Sequence, residues 1–367
     1  MKRLALTVLA IGALLLVVHT TTLRAVGRRE PLIPMLSATP TMTVSTVPTN
    51  GDVNPYGVAF VPPGFPKGGM LEPGDVLVAN FNDSANLQGT GTTIVRITPS
   101  SQATVFFQGS GLGLTTALGV LKAGFVLVGN VPTTDGSCGT AGQGSLLVLD
   151  RNGTQVAALT DPALLDGPWD LTIRDDGARP QVFVSNVLNG TVTRLDLNVP
   201  ANGGALGAHF VMKATRIASG YVNRCDPAAL VVGPTGLVFD EAHDRLYVAS
   251  TGDNAIYAVD HAGMGGTKSG TGRVIYRDDA HLRGPLGLVL APNGDFITTN
   301  GDAVNPDATQ PSELVEFTPE GRFVAERPVN FTAQGGAFGL AVRKAGNQIV
   351  LAAVDDVLNN LDVWFVR

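Results

Sequence analysis

The chain has 367 residues, of which 44% are hydrophobic and 15% charged, and its net charge is −6. This apolar content excludes a disordered chain, and no Lys/Arg cluster after the N-terminus provides an electrostatic footprint for nucleic acid. The 45 glycines and 23 prolines are spread along the sequence, a pattern typical of many short strands joined by tight turns. The composition predicts an all-β protein.

The chain begins with two segments that precede any repeat. Lys2 and Arg3 stand before an apolar run from Leu4 to Val18, the pattern of a secretory signal peptide. We predict a signal peptide or an uncleaved N-terminal anchor over residues 1–26, and a Pro/Thr-rich linker over residues 27–40. The protein is therefore expected to be periplasmic or extracellular, with no membrane contact beyond a possible anchor.

Residues 41–367 contain six copies of one strand-rich unit. Their first strands are NPYGVAF (54–60), TALGVL (116–121), GPWDLTI (167–173), GPTGLVF (233–239), GPLGLVL (284–290) and AFGLAV (337–342). Each first strand carries a marker residue, in order Gly57, Gly119, Asp170, Gly236, Gly287 and Gly339. Second, third and fourth strands follow each marker, except that the last copy lacks a fourth strand.

The missing strand has a natural donor at the start of the repeat region. The sixth copy reaches its third strand, LDVWFV (361–366), and is followed only by Arg367, whereas TMTVSTV (41–47) alternates without a unit of its own. Because unpaired sheet edges invite aggregation, we expect this segment to complete the last unit. The sequence predicts a six-bladed β-propeller with four-stranded blades over residues 41–367, closed by an N-terminal strand.

The fourth unit, GPTGLVFDEAHDRLYVASTGDNAIYAVD (233–260), carries the sharpest form of the pattern. A Gly at the start of its first strand, the LYVAS second strand and Asn254 before its third strand resemble NHL-repeat propellers. The chain also resembles SMP-30-like gluconolactonases, a related class of six-bladed propellers. Such propellers include binding scaffolds, lactonases, other hydrolases and lyases, so the resemblance alone selects no activity.

A propeller brings the starts of its first strands and the ends of its second strands together on one face, here called the top face. We predict a ligand site there, with Asp170 as a metal ligand or general base and Asp355 as a metal ligand. Seven further residues are expected to bind ligand: Asn54, Tyr56, Trp169, Asn80, Asn130, Asn186 and Asn300. Asparagines also end strands as Asx-turns, and Trp169 is equally suited to plugging the space between blades.

The same face offers candidates for metal binding and catalysis. The SMP-30-like resemblance implies a divalent metal in the channel, held here by Asp170, Asn186, Asn300 and Asp355. Asp52 or Asn54 takes the place of the family's glutamate. Oxygen ligands of this kind suit Ca²⁺. Asp170, the only carboxylate among the marker residues, and His281 are the catalytic candidates, although His281 also fits a solvated loop histidine.

Cys138 and Cys225 are the only two cysteines. In an oxidising compartment they are expected to form a disulfide, and two buried thiols are the alternative.

Two hypotheses of function follow from these features. The first is an exported propeller, a monomer, that binds a protein, peptide or small ligand at the top of its channel. The second is a Ca²⁺-dependent hydrolase or lactonase of SMP-30-like type. Neither hypothesis involves nucleic acid.

Overall fold

The computed structural model describes residues 30–301, 313–331 and 336–367, so the predicted signal segment lies outside the described residues. The described chain forms six four-stranded antiparallel sheets and one two-stranded hairpin. No helix within these ranges is long and apolar enough to span a membrane. The first strand of each sheet contacts the first strand of the next, and the sixth contacts the first. The sheets are therefore the blades of a closed propeller, as predicted.

The strands follow the chain in blade order. Blade one contains β2 (Val53–Phe60), β3 (Val76–Asn82), β4 (Thr93–Ile97) and β5 (Ala103–Gln108). Blade two contains β6 (Leu114–Leu121), β7 (Phe125–Asn130), β8 (Ser145–Asp150) and β9 (Gln155–Leu159). Blade three contains β10 (Pro168–Arg174), β11 (Gln181–Asn186), β12 (Thr191–Leu197) and β13 (Val211–Ser219).

The second half of the ring begins after a small hairpin. This hairpin consists of β14 (Arg224–Asp226) and β15 (Leu230–Val232). Blade four contains β16 (Pro234–Asp240), β17 (Arg245–Ser250), β18 (Ala255–Asp260) and β19 (Arg273–Tyr276). Blade five contains β20 (Pro285–Leu290), β21 (Phe296–Asn300), β22 (Glu313–Phe317) and β23 (Phe323–Pro328), and blade six contains β24 (Ala337–Ala345), β25 (Gln348–Asp355) and β26 (Asn360–Val366).

The N-terminal strand closes the ring. β1 (Met42–Ser45) pairs antiparallel with β26, and Met42 lies opposite Val363. The outer edge of blade six is thereby covered by the beginning of the chain, which confirms the predicted closure and protects that edge from pairing with another molecule.

The first strands pack so closely around the axis that most blades require a residue without a long side chain at one position. The strand pairings place Gly57, Ala117, Asp170, Gly236, Gly287 and Gly339 at this equivalent position. A Cβ atom on Gly339 would collide with the backbone oxygen of Tyr56 in the next blade. In blade two the structure puts Ala117, and not the predicted marker Gly119, at this position because the start of β6 contains one extra residue. Asp170 is thus the one charged side chain in the ring.

Residues 30–40, part of the predicted linker, lie against the propeller. Leu32, Ile33 and Leu36 are buried in a cluster with side chains of blades five and six. The backbone N–H groups of Leu32 and Ile33 donate to the buried carboxylate of Glu316, at 2.7 Å each. This segment is therefore anchored to the domain and does not form a free tether.

Candidate functional site

Aromatic side chains fill the top end of the central channel. The Trp169 ring meets Tyr56 and Phe81 edge-on, with centroid distances of 5.9 and 5.4 Å. Tyr56 also packs against Phe338, at 4.7 Å. All four rings are buried. The structure therefore places Trp169 inside a packed plug, while Tyr56 packs in the plug and also borders a small pocket of ≈ 40 Å³ on the top face.

The hairpin β14–β15 covers this plug from above. Leu230 and Val231 belong to the same apolar cluster as Tyr56 and Trp169. Leu230 has a φ of +62°, a left-handed conformation that is strained for a leucine and is held in place by the surrounding packing. The backbone oxygen of Ala228, in the hairpin turn, accepts a hydrogen bond from the Gln88 side chain, at 2.8 Å.

A disulfide fastens the hairpin to the loop after blade two's second strand. Cys138 and Cys225 are bonded, with Cα atoms 5.6 Å apart and a sequence separation of 87. The crosslink closes a long loop of chain over the channel, so it restricts both the unfolded chain and the hairpin. The pairing expected for an oxidising compartment is the one found here.

The bottom end of the channel is more open. In the first strands of blades three to six, the leading residues are buried and the trailing residues are partly exposed. Since every first strand runs from the top face to the bottom face, the described residues fill the upper part of the channel and leave its lower part accessible from below.

The channel is a cavity of ≈ 250 Å³. All six first strands contribute to its wall, whose side chains are mainly aliphatic with two threonines and one carboxylate, although about half of the surface facing the cavity is polar. The larger lining side chains are Val58, Thr116, Leu118, Asp170, Leu171, Thr172, Leu237, Val238, Leu288, Val289, Leu290, Leu340 and Val342. The first strands of a propeller are sheet edges, so their free backbone groups also face this space.

Asp170 lies just below the aromatic plug. One carboxylate oxygen accepts from the backbone N–H of Leu171, at 2.7 Å, and the other from Leu237 of blade four, at 3.3 Å. Burial raises the pKa of Asp170 well above its usual range, although both N–H donors act in the opposite direction. A proton, or a bound cation, would therefore stabilise this carboxylate.

The predicted asparagines at the ends of second strands form hydrogen bonds with neighbouring strands and with the connections between blades. The Asn80 amide donates to the Thr46 oxygen and to Thr93, and the Asn130 amide donates to Ser145. The Asn186 amide donates to the Leu164 oxygen and to the hydroxyls of Thr191 and Thr193. These bonds join neighbouring strands and loops, the behaviour expected of structural asparagines.

The remaining oxygen-bearing candidates are also engaged locally. Asn300 donates to Glu313, and Asp355 accepts from Asn330, each at 2.8 Å. Asp52 accepts from both Thr92 and Thr93.

The donor set does not fit a Ca²⁺ ion, which needs six to eight oxygen ligands. Among the four predicted metal ligands, Asp170 alone lines the channel. Within the described ranges, no three His, Cys, Asp or Glu side chains are grouped for metal binding. The buried amide oxygens of Asn54, Asn80 and Asn186 have no hydrogen-bond partner among the described residues. The first two lie in blade one and the third in blade three, so they do not form one group of ligands.

His281 lies in the loop that leads into blade five and is not part of the channel wall. Its Nδ1 atom is 2.7 Å from the Asp278 carboxylate, and its backbone oxygen accepts from Asn300. The structure therefore does not bring the two predicted catalytic residues, Asp170 and His281, to one site.

Sequence reasoning missed two parts of the site. The aliphatic wall comes from the second halves of the first strands, whose letters GLVF and GLVL are plainly apolar in the sequence. The covering hairpin comes from RCDPAALVV (224–232), where an apolar run precedes the blade-four repeat. Both segments can be recognised as apolar in the sequence. The sequence does not show which end of the channel each segment lines or covers.

No protein-family model matches the chain, and no curated protein matches it. Similar solved structures include the calcium-binding protein regucalcin from Agrobacterium tumefaciens, with a TM-score of 0.52 and 14% identity over 90% of this chain and 97% of that one. The Malassezia sympodialis allergen Mala s 1 gives a TM-score of 0.51 and 12% identity over 88% and 94%. Virginiamycin B lyase from Staphylococcus aureus gives 0.50 and 14% over 89% and 99%.

These likenesses show the fold. The chain is a six-bladed β-propeller, as the sequence pattern predicted. At this level of identity, fold does not carry activity from one protein to another.

Proposed function

We propose that this protein is a binding propeller that takes a small, largely apolar molecule into its central channel from the bottom face. The observation that carries the proposal is the cavity of ≈ 250 Å³ with an aliphatic wall and a single carboxylate. Concave, mainly apolar sites with few polar groups are typical of small-molecule binding. The volume lies below the roughly 300–1,000 Å³ of sites for drug-sized ligands, which favours a smaller molecule.

The choice of the bottom face departs from the prediction of a top-face site. The aromatic plug of Tyr56, Phe81, Trp169 and Phe338 and the disulfide-fastened hairpin support this choice, because a ligand entering from above would have to displace both. Entry from below displaces no packed ring.

The alternative is a Ca²⁺-dependent hydrolase or lactonase. Its support is the fold shared with regucalcin, a calcium-binding protein. We rank it second because Asp170 has no further acidic partner in the channel wall, and we derive no catalytic step through a metal.

The protein is also proposed to act in the periplasm or outside the cell, as a monomer and without nucleic acid. The Cys138–Cys225 disulfide supports this location, since such bonds persist mainly in oxidising compartments.

A titration with hexan-1-ol tests the proposed site. Isothermal titration calorimetry on the wild type should give binding with one site per chain. Ala341 lines the open part of the channel, and Ala341→Phe should weaken binding at least tenfold by filling that space. Ala158→Phe, on the exposed outer strand of blade two, is the matched control and should bind as the wild type does. Equal binding by all three proteins would refute a channel site.

A further inference from the structure

We infer that the molecule bound in the channel carries a positive charge, and that it is an aliphatic amine whose ammonium group pairs with Asp170. The inference rests on the proposed function and names the class of ligand. It is carried by the position of one carboxylate in a wall whose other described residues carry no charged side chain.

The equivalent position in the other blades shows how unusual this carboxylate is. The strand pairings put glycine there in four blades and Ala117 in blade two. Close packing around the axis explains the small residues, and Gly339 illustrates it, since a Cβ there would strike Tyr56. Packing does not explain an aspartate, because alanine satisfies the same constraint in blade two.

Asp170 is incompletely compensated by the protein. Its oxygens accept two backbone N–H groups, from Leu171 and Leu237, and no Lys, Arg or His is among the residues that line the cavity. A carboxylate surrounded by aliphatic side chains is costly unless it is paired. The raised pKa of Asp170 expresses the same cost.

A primary ammonium group would supply the positive charge that the Asp170 carboxylate lacks. It supplies one positive charge and up to three N–H donors, and charge-assisted bonds of this kind are about twice as strong as neutral ones. Its alkyl chain would lie along Leu171, Leu237 and Leu288 toward the bottom opening. A carboxylate ligand of equal length would be repelled, and an alcohol would supply one O–H donor but no positive charge to compensate the carboxylate.

Three probes of equal chain length test whether the channel prefers a positively charged ligand: hexan-1-amine, hexan-1-ol and hexanoate. At pH 8 the amine stays protonated, since alkyl ammonium groups such as that of lysine have a pKa near 10.4. Calorimetry on the wild type should show the amine binding at least tenfold more tightly than the alcohol, and hexanoate more weakly than both. Amine affinity should fall as pH is lowered and Asp170 becomes protonated, whereas alcohol affinity should not.

Asp170→Asn should remove the preference for amine over alcohol. Asp362→Asn is the matched control, because Asp362 is also a buried aspartate but lies in the seam between β1 and β26, and it should keep the preference. If the wild type binds alcohol and amine equally, the inference fails while the proposed channel site stands. If the wild type binds none of the three probes, the proposed function fails as well. The wild-type comparison remains decisive even if Asp170→Asn does not fold.

Discussion

The top and bottom halves of the channel are built from the same six strands but are filled in different ways. Above Asp170, four aromatic rings pack against one another in stacked, tilted and edge-to-face arrangements beneath a crosslinked hairpin. Below it, aliphatic side chains surround an accessible cavity of ≈ 250 Å³. The difference shows that a propeller's repeat sets where strands begin and end, whereas the non-repeated residues decide which end of the channel is available.

Removing the central ring of the aromatic plug should have the largest effect on the packed top half of the channel. Trp169→Ala should destabilise the protein by about 3–5 kcal/mol, because it leaves a large cavity among buried rings. Urea unfolding would measure the change. Trp169→Phe is the control, since the buried Trp169 Nε1 has no hydrogen-bond partner within the described residues and phenylalanine keeps most of the ring. A loss below about 1 kcal/mol for Trp169→Ala would argue against a packed plug.

Opening the disulfide tests the cover above the plug. The double variant Cys138→Ser/Cys225→Ser should lose about 2–4 kcal/mol of unfolding free energy, chiefly because the unfolded chain is released from an 87-residue loop. Hydrogen exchange should rise in the hairpin and remain low in β16 to β19. Wild type treated with a reductant should reproduce both results. Unchanged exchange in the hairpin would show that packing alone holds it.

Asp362 is a buried carboxylate outside the channel and can be compared with Asp170 inside it. Burial raises its pKa to about 6 from the model-peptide value of 3.8, with the negative charge of Asp355 adding to the effect and a hydrogen bond from Thr43 opposing it. The folded state therefore holds this proton more tightly than the unfolded chain does. The contribution of protonated Asp362 to the free energy of unfolding is fully present below about pH 4 and is lost as the pH rises through about 6.

Asp362→Asn should accordingly raise the unfolding free energy by about 1–3 kcal/mol at pH 8 and have little effect at pH 4, since each pKa unit corresponds to about 1.4 kcal/mol. Asparagine can still accept from Thr43. Denaturant unfolding at the two pH values would measure the difference. An equal effect at both values would mean that Asp362 does not titrate between them.

Calcium should have the smallest effect. Because the channel wall offers Asp170 as its only carboxylate, we expect the melting temperature to differ by less than about 1 °C between samples with Ca²⁺ and with EDTA. A ligand that binds only the native state raises stability by mass action, so a clear rise with Ca²⁺ would restore the metal-dependent hypothesis.

The sequence predicted the blades well because their signals repeat. A small residue recurs at one first-strand position in five of the six units and an apolar second strand recurs in all six, and the unpaired segment 41–47 identified the closing strand. The marker in blade two was misplaced, from Ala117 to Gly119, because one additional residue in β6 is invisible without the strand pairing.

The site was harder to predict because it depends on contacts between blades. Trp169 fitted a ligand platform and a plug equally well, and only its packing against Tyr56 and Phe81 distinguishes them. Asn186 fitted a metal ligand until its bonds to Thr191 and Thr193 were seen. Asp170 stood out in the sequence because it replaces a small residue, and the structure places it in the channel wall.

The seam between β1 and β26 has a consequence for biogenesis. Thr43 and Asp362, which are bonded across it, are 319 positions apart. The ribosome must therefore synthesise the chain as far as β26 before the ring can close, and until then β1 and the last blade each have an unpaired strand edge. Contacts between such distant parts of a chain form slowly, so nascent molecules are expected to be most vulnerable to association with one another during this interval.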